Sequence, residues 1–333
     1  MVPGAADGAV PARHGARFRR RFTAPSAAPQ AGPYADRPWL SAYPPGVPDN
    51  VDFPTVPLTT LLDDAAGSFP ETVALAFQGT SLTYRELRVA VDRFAGGLTG
   101  LGVRKGDRVA IVLPNCPQNV IALFAALRLG AVAVGHNPLY TADELRHQLA
   151  DCGATVVVCL DGVLASVAEI AAQTSLQHLV VVPLADYLPR IDRLKLRLPP
   201  ASVRGARPAP LQPVAGLTVV GFSELMKRTL RPAAQVELDP ERDLALLQYT
   251  GGTTGRSRGA MLSHANLVSN AYMLRAWNTE AVLGREVTLA VRPWTGGTQR
   301  CCRGYRRSSR RSVTVRKVSS MIYVPCVSAC PGR

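Results

Sequence analysis

The chain has 333 residues, 47% of them hydrophobic, and a formal net charge of +14. That length and apolar share suffice for one large domain or two smaller ones, and no apolar run reaches the ~18 residues of a membrane-spanning helix. The charge sits at the ends: residues 1–50 carry +3, residues 287–333 carry +10 without a single acid, and residues 51–286 are nearly neutral at +1, which excludes a uniformly basic, nucleic-acid-coating body.

Residues 1–50 are proline-rich, show little periodicity and read as a flexible leader. Arg19-Arg20-Arg21-Phe22 precedes a stretch broken by Pro25 and Pro29, not the apolar core of about 7–15 residues that a secretory signal needs. A transit peptide is the functional alternative for this leader. The remainder reads as cytoplasmic. From residue 72 the pattern alternates. Val73-Ala74-Leu75-Ala76-Phe77 is a strand. Thr83-Tyr84-Arg85-Glu86 is a capping box that opens an amphipathic helix reaching residue 101. Val109-Ala110-Ile111-Val112-Leu113 is a continuous apolar run of the buried parallel type. A turn at Pro114-Asn115-Cys116-Pro117 leads into a helix over 118–129, then a strand over 131–134. Thr141-Ala142-Asp143-Glu144 is a second capping box, with its helix running to residue 151. Strands over 155–159 and 179–182 flank a helix over 163–172. This βαβ series predicts an α/β fold of parallel sheets with flanking helices.

Residues 184–210 leave the alternation. Leu184, Leu188, Ile191, Leu194 and Leu198 recur at helical spacing among six arginines and lysines. A basic amphipathic helix of this kind either lies on an anionic membrane surface, with 184–207 as the contact, or packs as an ordinary solvated helix. Of the seven cysteines, Cys116, Cys152 and Cys159 lie in apolar or helical contexts and read as buried thiols of a reducing compartment. Cys301, Cys302, Cys326 and Cys330 match no common zinc spacing, so no metal site is assigned.

The densest signal is Tyr249-Thr250-Gly251-Gly252-Thr253-Thr254-Gly255-Arg256-Ser257-Arg258-Gly259, with four glycines, three threonines and two arginines between two apolar runs. Glycine permits close approach of a ligand to the backbone. Threonine hydroxyls and exposed N–H groups bond phosphate oxygens, and arginine balances their charge. The order is neither a Walker A loop nor Gly-x-Gly-x-x-Gly. A plain Gly/Thr-rich surface loop between two strands is the bland alternative.

Together with Ala260-Met261-Leu262-Ser263-His264-Ala265-Asn266-Leu267, this loop resembles the phosphate-loop signature of the adenylate-forming superfamily, most closely bacterial long-chain fatty acyl-CoA synthetases. Leu82-Thr83-Tyr84-Arg85-Glu86-Leu87, Gly106-Asp107-Arg108-Val109-Ala110 and Asn137-Pro138-Leu139-Tyr140 are similar to that family's N-terminal landmarks, and the likeness spans residues 55–291. The family has Ser where Gly251 stands, Pro where Ser257 stands and Lys where Arg258 stands. The resemblance implies an incomplete N-terminal domain of the acyl-CoA synthetase type over 51–291. It also implies ATP, Mg²⁺ and coenzyme A as the reactants beside a fatty acid or another carboxylic acid. The backbone of Gly251, Gly252 and Gly255 and the hydroxyls of Thr250, Thr253 and Thr254 would then hold the β- and γ-phosphates. Arg258 would stand in for the lysine, and His264 would cap or pack the following helix. No catalytic residue is assigned.

Past Val291 the likeness stops. The tail 292–333 is rich in arginine, acid-free and without helical or strand period, and is expected to be disordered or the product of a shifted reading frame. An Arg-rich tail can also bind nucleic acid through phosphates, but it holds no recognisable module. The family's Tyr-Gly-x-Thr-Glu segment, its ribose-binding Asp and its C-terminal catalytic lysine have no counterpart in this sequence. The gene tests the frame hypothesis: translation in an alternative frame past codon 291 is expected to restore an apolar, family-like sequence, and its absence in both other frames sinks the idea.

Overall fold

Valine-rich runs set the centre of the molecule, because β-branched side chains favour strands and apolar ones must leave water. The computed structural model describes residues 36–183, 214–228, 236–250, 257–282, 284–289 and 323–324. It divides into two units. The first, Met1–Pro45, contains a 3₁₀ turn at Pro38–Ala42. The second, Gly46–Arg333, contains every other described element.

In chain order the second unit begins with α1 (Leu58–Ser68), β1 (Val73–Phe77), β2 (Thr80–Thr83), α2 (Tyr84–Gly100), β3 (Arg108–Val112) and α3 (Pro117–Arg128). Then come β4 (Val132–Gly135), α4 (Ala142–Cys152), β5 (Val156–Leu160), α5 (Leu164–Ile170) and β6 (His178–Val182). The remainder is β7 (Thr218–Gly221), α6 (Phe222–Arg228), β8 (Leu244–Thr250), β9 (Arg258–Ser263), α7 (His264–Trp277), β10 (Thr288–Leu289) and β11 (Tyr323–Val324). The expected strands and helices of the alternating region all form, with ends within two residues of the sequence reading, the helix expected over 163–172 included. There α5 is flanked by 3₁₀ turns at Asp161–Val163 and Ala171–Gln173. Residues 184–213 lie outside the described residues, and so does the amphipathic helix expected there.

The main sheet has the order β7-β6-β5-β3-β4-β8-β9, parallel except for the antiparallel β8–β9 pair. Alternation along each central strand sends side chains to opposite faces. Val109, Ile111, Val156, Val158, Val180 and Val182 meet α2, α3 and α6 in one core. Ala110, Val112, Val157, Cys159, Leu179 and Val181 meet α4 and α5 in the other. The expected parallel, helix-wrapped sheet is therefore present, and its central strands are buried on both faces. A smaller antiparallel sheet, β10-β11-β1-β2, completes the strands. No described helix is long and apolar enough to cross a membrane.

Packing between α2 and α6 leaves no slack. The Phe94 and Phe222 rings stack with centroids 4.3 Å apart. A Cβ on Gly97 would stand 2.6 Å from Leu225 Cγ. Alanine is worth about 1 kcal/mol over glycine inside a helix, but overpacking costs about 1–3 kcal/mol. Since Leu225 is itself buried, the clash wins. Gly97→Ala is expected to lower stability by about 1 kcal/mol, seen as a reduced urea midpoint. An unchanged or raised midpoint contradicts this packing.

Candidate functional site

Helix α4 is fixed at both ends. Thr141 Oγ1 accepts from the Glu144 N–H, and Glu144 Oε2 accepts from the Thr141 N–H at 2.8 Å, so the capping box expected from sequence is formed. At the other end Gly153 adopts the left-handed conformation (φ 61°). The Arg108 guanidinium donates to the carbonyls of Cys152 (2.9 Å) and Gly153 (3.0 Å), a cation where the helix dipole favours one. The inner stripe of α4 is Leu145, Gln148, Leu149 and Cys152. Three of these belong to the apolar core; Gln148 is the polar member.

The β8–β9 hairpin lies beside β4, and its closing pairs are Tyr249 with Gly259 and Thr250 with Arg258. Its connection, 251–257, leaves the carboxyl end of β8, the same edge at which β4 ends. Thr250 and Arg258 are cross-strand neighbours and both exposed. Gly251, Gly252, Thr253, Thr254 and Gly255 lie outside the described residues, as do the tail cysteines.

What the structure adds is the support beneath this hairpin. Tyr249 is buried, and its ring lies against Gly259, where an added Cβ would come within 3.3 Å of the ring carbon Cζ. The same ring stacks on His136, with centroids 5.9 Å apart. Its hydroxyl donates to Asp151 Oδ2, with the Gln148 carbonyl a longer acceptor at 3.3 Å. Burial first, then the bond to Asp151, holds the phenol well above its usual pKa. His136 directly follows β4 and is fully buried. Its Nδ1 lies 2.7 Å from Gln148 Oε1, and Gln148 Nε2 donates to Ser257 Oγ at 3.2 Å. Burial drives His136 down to about 4, with the Gln148 bond pulling weakly the other way. Both ends of the connection are thus moored to α4, through Tyr249–Asp151 and through Ser257–Gln148.

Sequence reasoning missed His136, Gln148 and Asp151. The available signal was Gln148 itself, a polar residue on an otherwise apolar helical stripe. At 257, where the family has proline, the side chain of Ser257 is bonded to Gln148. His264 is buried, as packing requires, but the cap of α7 is Ser263, whose Oγ accepts from Asn266 N–H at 3.2 Å. His264 Nδ1 accepts from the Leu58 N–H at 3.1 Å and so covers the start of α1, where Pro57 offers no side chain. The burial expected of the cysteines is present: Cys116, Cys152 and Cys159 are buried, and desolvation pushes Cys116 and Cys159 up to about 12. An open groove lined by Thr141, Asp143, Arg146, Glu169 and Gln173 is polar and includes none of the expected site residues.

The chain belongs to the AMP-binding enzyme family, whose model matches residues 62–295. Within it, the chain is 34% identical over 261 residues to a long-chain-fatty-acid–CoA ligase of Bacillus subtilis, covering 78% of this chain and 46% of that protein. A long-chain-fatty-acid–CoA ligase of Salmonella typhimurium is 34% identical over 240 residues, covering 72% and 42%. Among solved structures, a long-chain-fatty-acid–CoA ligase from Archaeoglobus fulgidus superposes with a TM-score of 0.55 at 28% identity, covering 72% of this chain and 42% of that one. The chain spans less than half the length of these relatives.

The buried histidine gives the site a pH signature. A folded pKa of about 4 lies below the ordinary ~6.5 of an unfolded histidine. Above pH ~6.5 both states are neutral, and this residue sets no difference. As pH falls toward 4 the unfolded chain takes up the proton first, and stability declines by about 3 kcal/mol. His264, lowered by burial, acts in the same direction. Urea melts from pH 7 to 4.5 are expected to show this loss, with His136→Gln flattening it. Parallel profiles for the two proteins overturn the assignment.

Proposed function

We propose that residues 249–258 form the polyphosphate grip of an ATP-dependent fatty acyl-CoA ligase, and that this chain carries the first part of such an enzyme. In the complete reaction a fatty acid carboxylate attacks the α-phosphorus of ATP, releasing pyrophosphate and leaving an acyl-adenylate. The thiol of coenzyme A then displaces AMP. The backbone N–H groups of Gly251, Gly252 and Gly255 and the hydroxyls of Thr250, Thr253 and Thr254 hold the β- and γ-phosphates. Arg258 balances their charge, and Mg²⁺ arrives as the Mg–ATP complex. Reactions of this kind depend on positioning and electrostatics, which is what a glycine- and threonine-rich loop supplies.

One observation carries the reading. The Gly/Thr connection leaves β8 at the carboxyl edge of a mostly parallel sheet, the edge where open α/β sheets bind ligands, and it is tied at both ends to a rigid helix. The acyl substrate follows the relatives at 34% identity, which are long-chain-fatty-acid–CoA ligases. Residues 51–291 form the ligase-type part, 1–50 a leader and 292–333 a separate basic tail. With less than half of the relatives' length matched, the chain binds nucleotide but turns over little or no substrate by itself.

Mg–ATP is expected to bind the purified chain in calorimetric titration. Thr253→Ala with Thr254→Ala is expected to weaken binding at least tenfold, since hydrogen bonds to charged groups are worth about 1.5–3 kcal/mol each. Unchanged affinity in that variant removes the two threonines from the grip. Pyrophosphate release from ATP, fatty acid and coenzyme A is expected at background; sustained turnover overturns the claim that the chain is insufficient alone.

A further inference from the structure

His136, Gln148 and Ser257 form a directed chain. An amide oxygen can only accept, so the 2.7 Å contact with Gln148 Oε1 requires the proton of neutral His136 on Nδ1. This leaves Nε2 as a bare lone pair in a buried setting where, among the described residues, it has no partner. The flipped amide would place an N–H there instead, and an orphaned buried donor is the rarer arrangement. With Oε1 committed to His136, Gln148 Nε2 donates to Ser257 Oγ. Ser257 then receives a hydrogen bond, and its own O–H cannot point back along it. Among the described residues that O–H has no acceptor. It sits at the last position of the 251–257 connection, next to Arg258.

We propose that Ser257 is a further phosphate-binding residue, donating its hydroxyl to a β- or γ-phosphate oxygen, with His136 and Gln148 as the positioning residues that aim it. The proposal rests on the polyphosphate reading of the loop. Ser257 thereby supplies a donor that a proline at this position lacks. Gln148 keeps the hydroxyl turned outward, and His136 fixes which way the Gln148 amide faces.

The test uses the full chain with Mg–ATP and AMP as separate probes. Ser257→Ala is expected to weaken ATP five- to tenfold and leave AMP unchanged, with Ser257→Thr retaining most of the affinity. Gln148→Glu turns an acceptor toward Ser257, captures its O–H and is expected to weaken ATP at least as much. Combining it with Ser257→Ala is expected to cost less than the two losses multiplied. ¹⁵N spectra of labelled His136 are expected to show the Nδ1–H tautomer, independently of any ligand. The Nε2–H tautomer overturns the aiming device. Equal effects of Ser257→Ala on ATP and AMP, or none on either, overturn the donor role. Wild-type chain that binds no ATP removes the polyphosphate reading itself, and this proposal with it.

Discussion

A parallel sheet buried on both faces leaves chemistry only at its ends. Between α2, α3 and α6 on one side and α4 and α5 on the other, β3, β4, β5 and β6 present almost only valine, leucine, alanine and isoleucine to their surroundings. A hydroxyl or charge placed mid-strand would lose its water without finding a partner. Polar groups are therefore pushed to where strands stop, and the loop after β8 stands at such a stop. The one polar group admitted to the inner stripe of α4, Gln148, satisfies both amide atoms with partners from two other elements.

Much of this was readable along the chain. Both capping boxes rest on four consecutive residues, so nothing outside that window was needed to find them. The central strands announced themselves as unbroken apolar runs. Helix α1 did not, because its first N–H is covered by His264 from 206 positions away and Pro57 gives no local start signal. Strands β2 and β7 span four residues each and have no strong period. For the site, the Gly/Thr loop was legible because its chemistry is contiguous. Its support was not: His136 pairs with Gln148 across 12 positions and Gln148 with Ser257 across 109, distances that only the folded sheet closes.

The departures from the family pattern at 257 and 258 now differ in kind. At 257 a ring constraint is replaced by a hydrogen bond to a buried amide, which restrains the same point of the chain by other means. At 258 a compact ammonium becomes a planar fork on an exposed strand start, changing the geometry offered to an anion and keeping its sign. Strand β9, which carries Arg258, is the edge of the main sheet and turns Met261 to solvent at 62% exposure. Among the described residues no strand pairs with its outer side; such an edge is a template for another strand, and a strand paired there bears directly on the exit of the loop.

The foundation under the loop is also silent toward protons. His136 stays neutral down to about 4, Tyr249 is held protonated by burial and Asp151, and burial keeps the Cys152 thiol protonated as well. Between these limits the buried groups beneath the hairpin neither gain nor lose charge. In the proposed phosphate-binding role of the loop, a phosphate ester, whose second ionisation falls near pH ~6, is then the group whose charge changes there. Any acid sensitivity of anion capture in the neutral range is written into the ligand rather than into the buried scaffold that holds the loop.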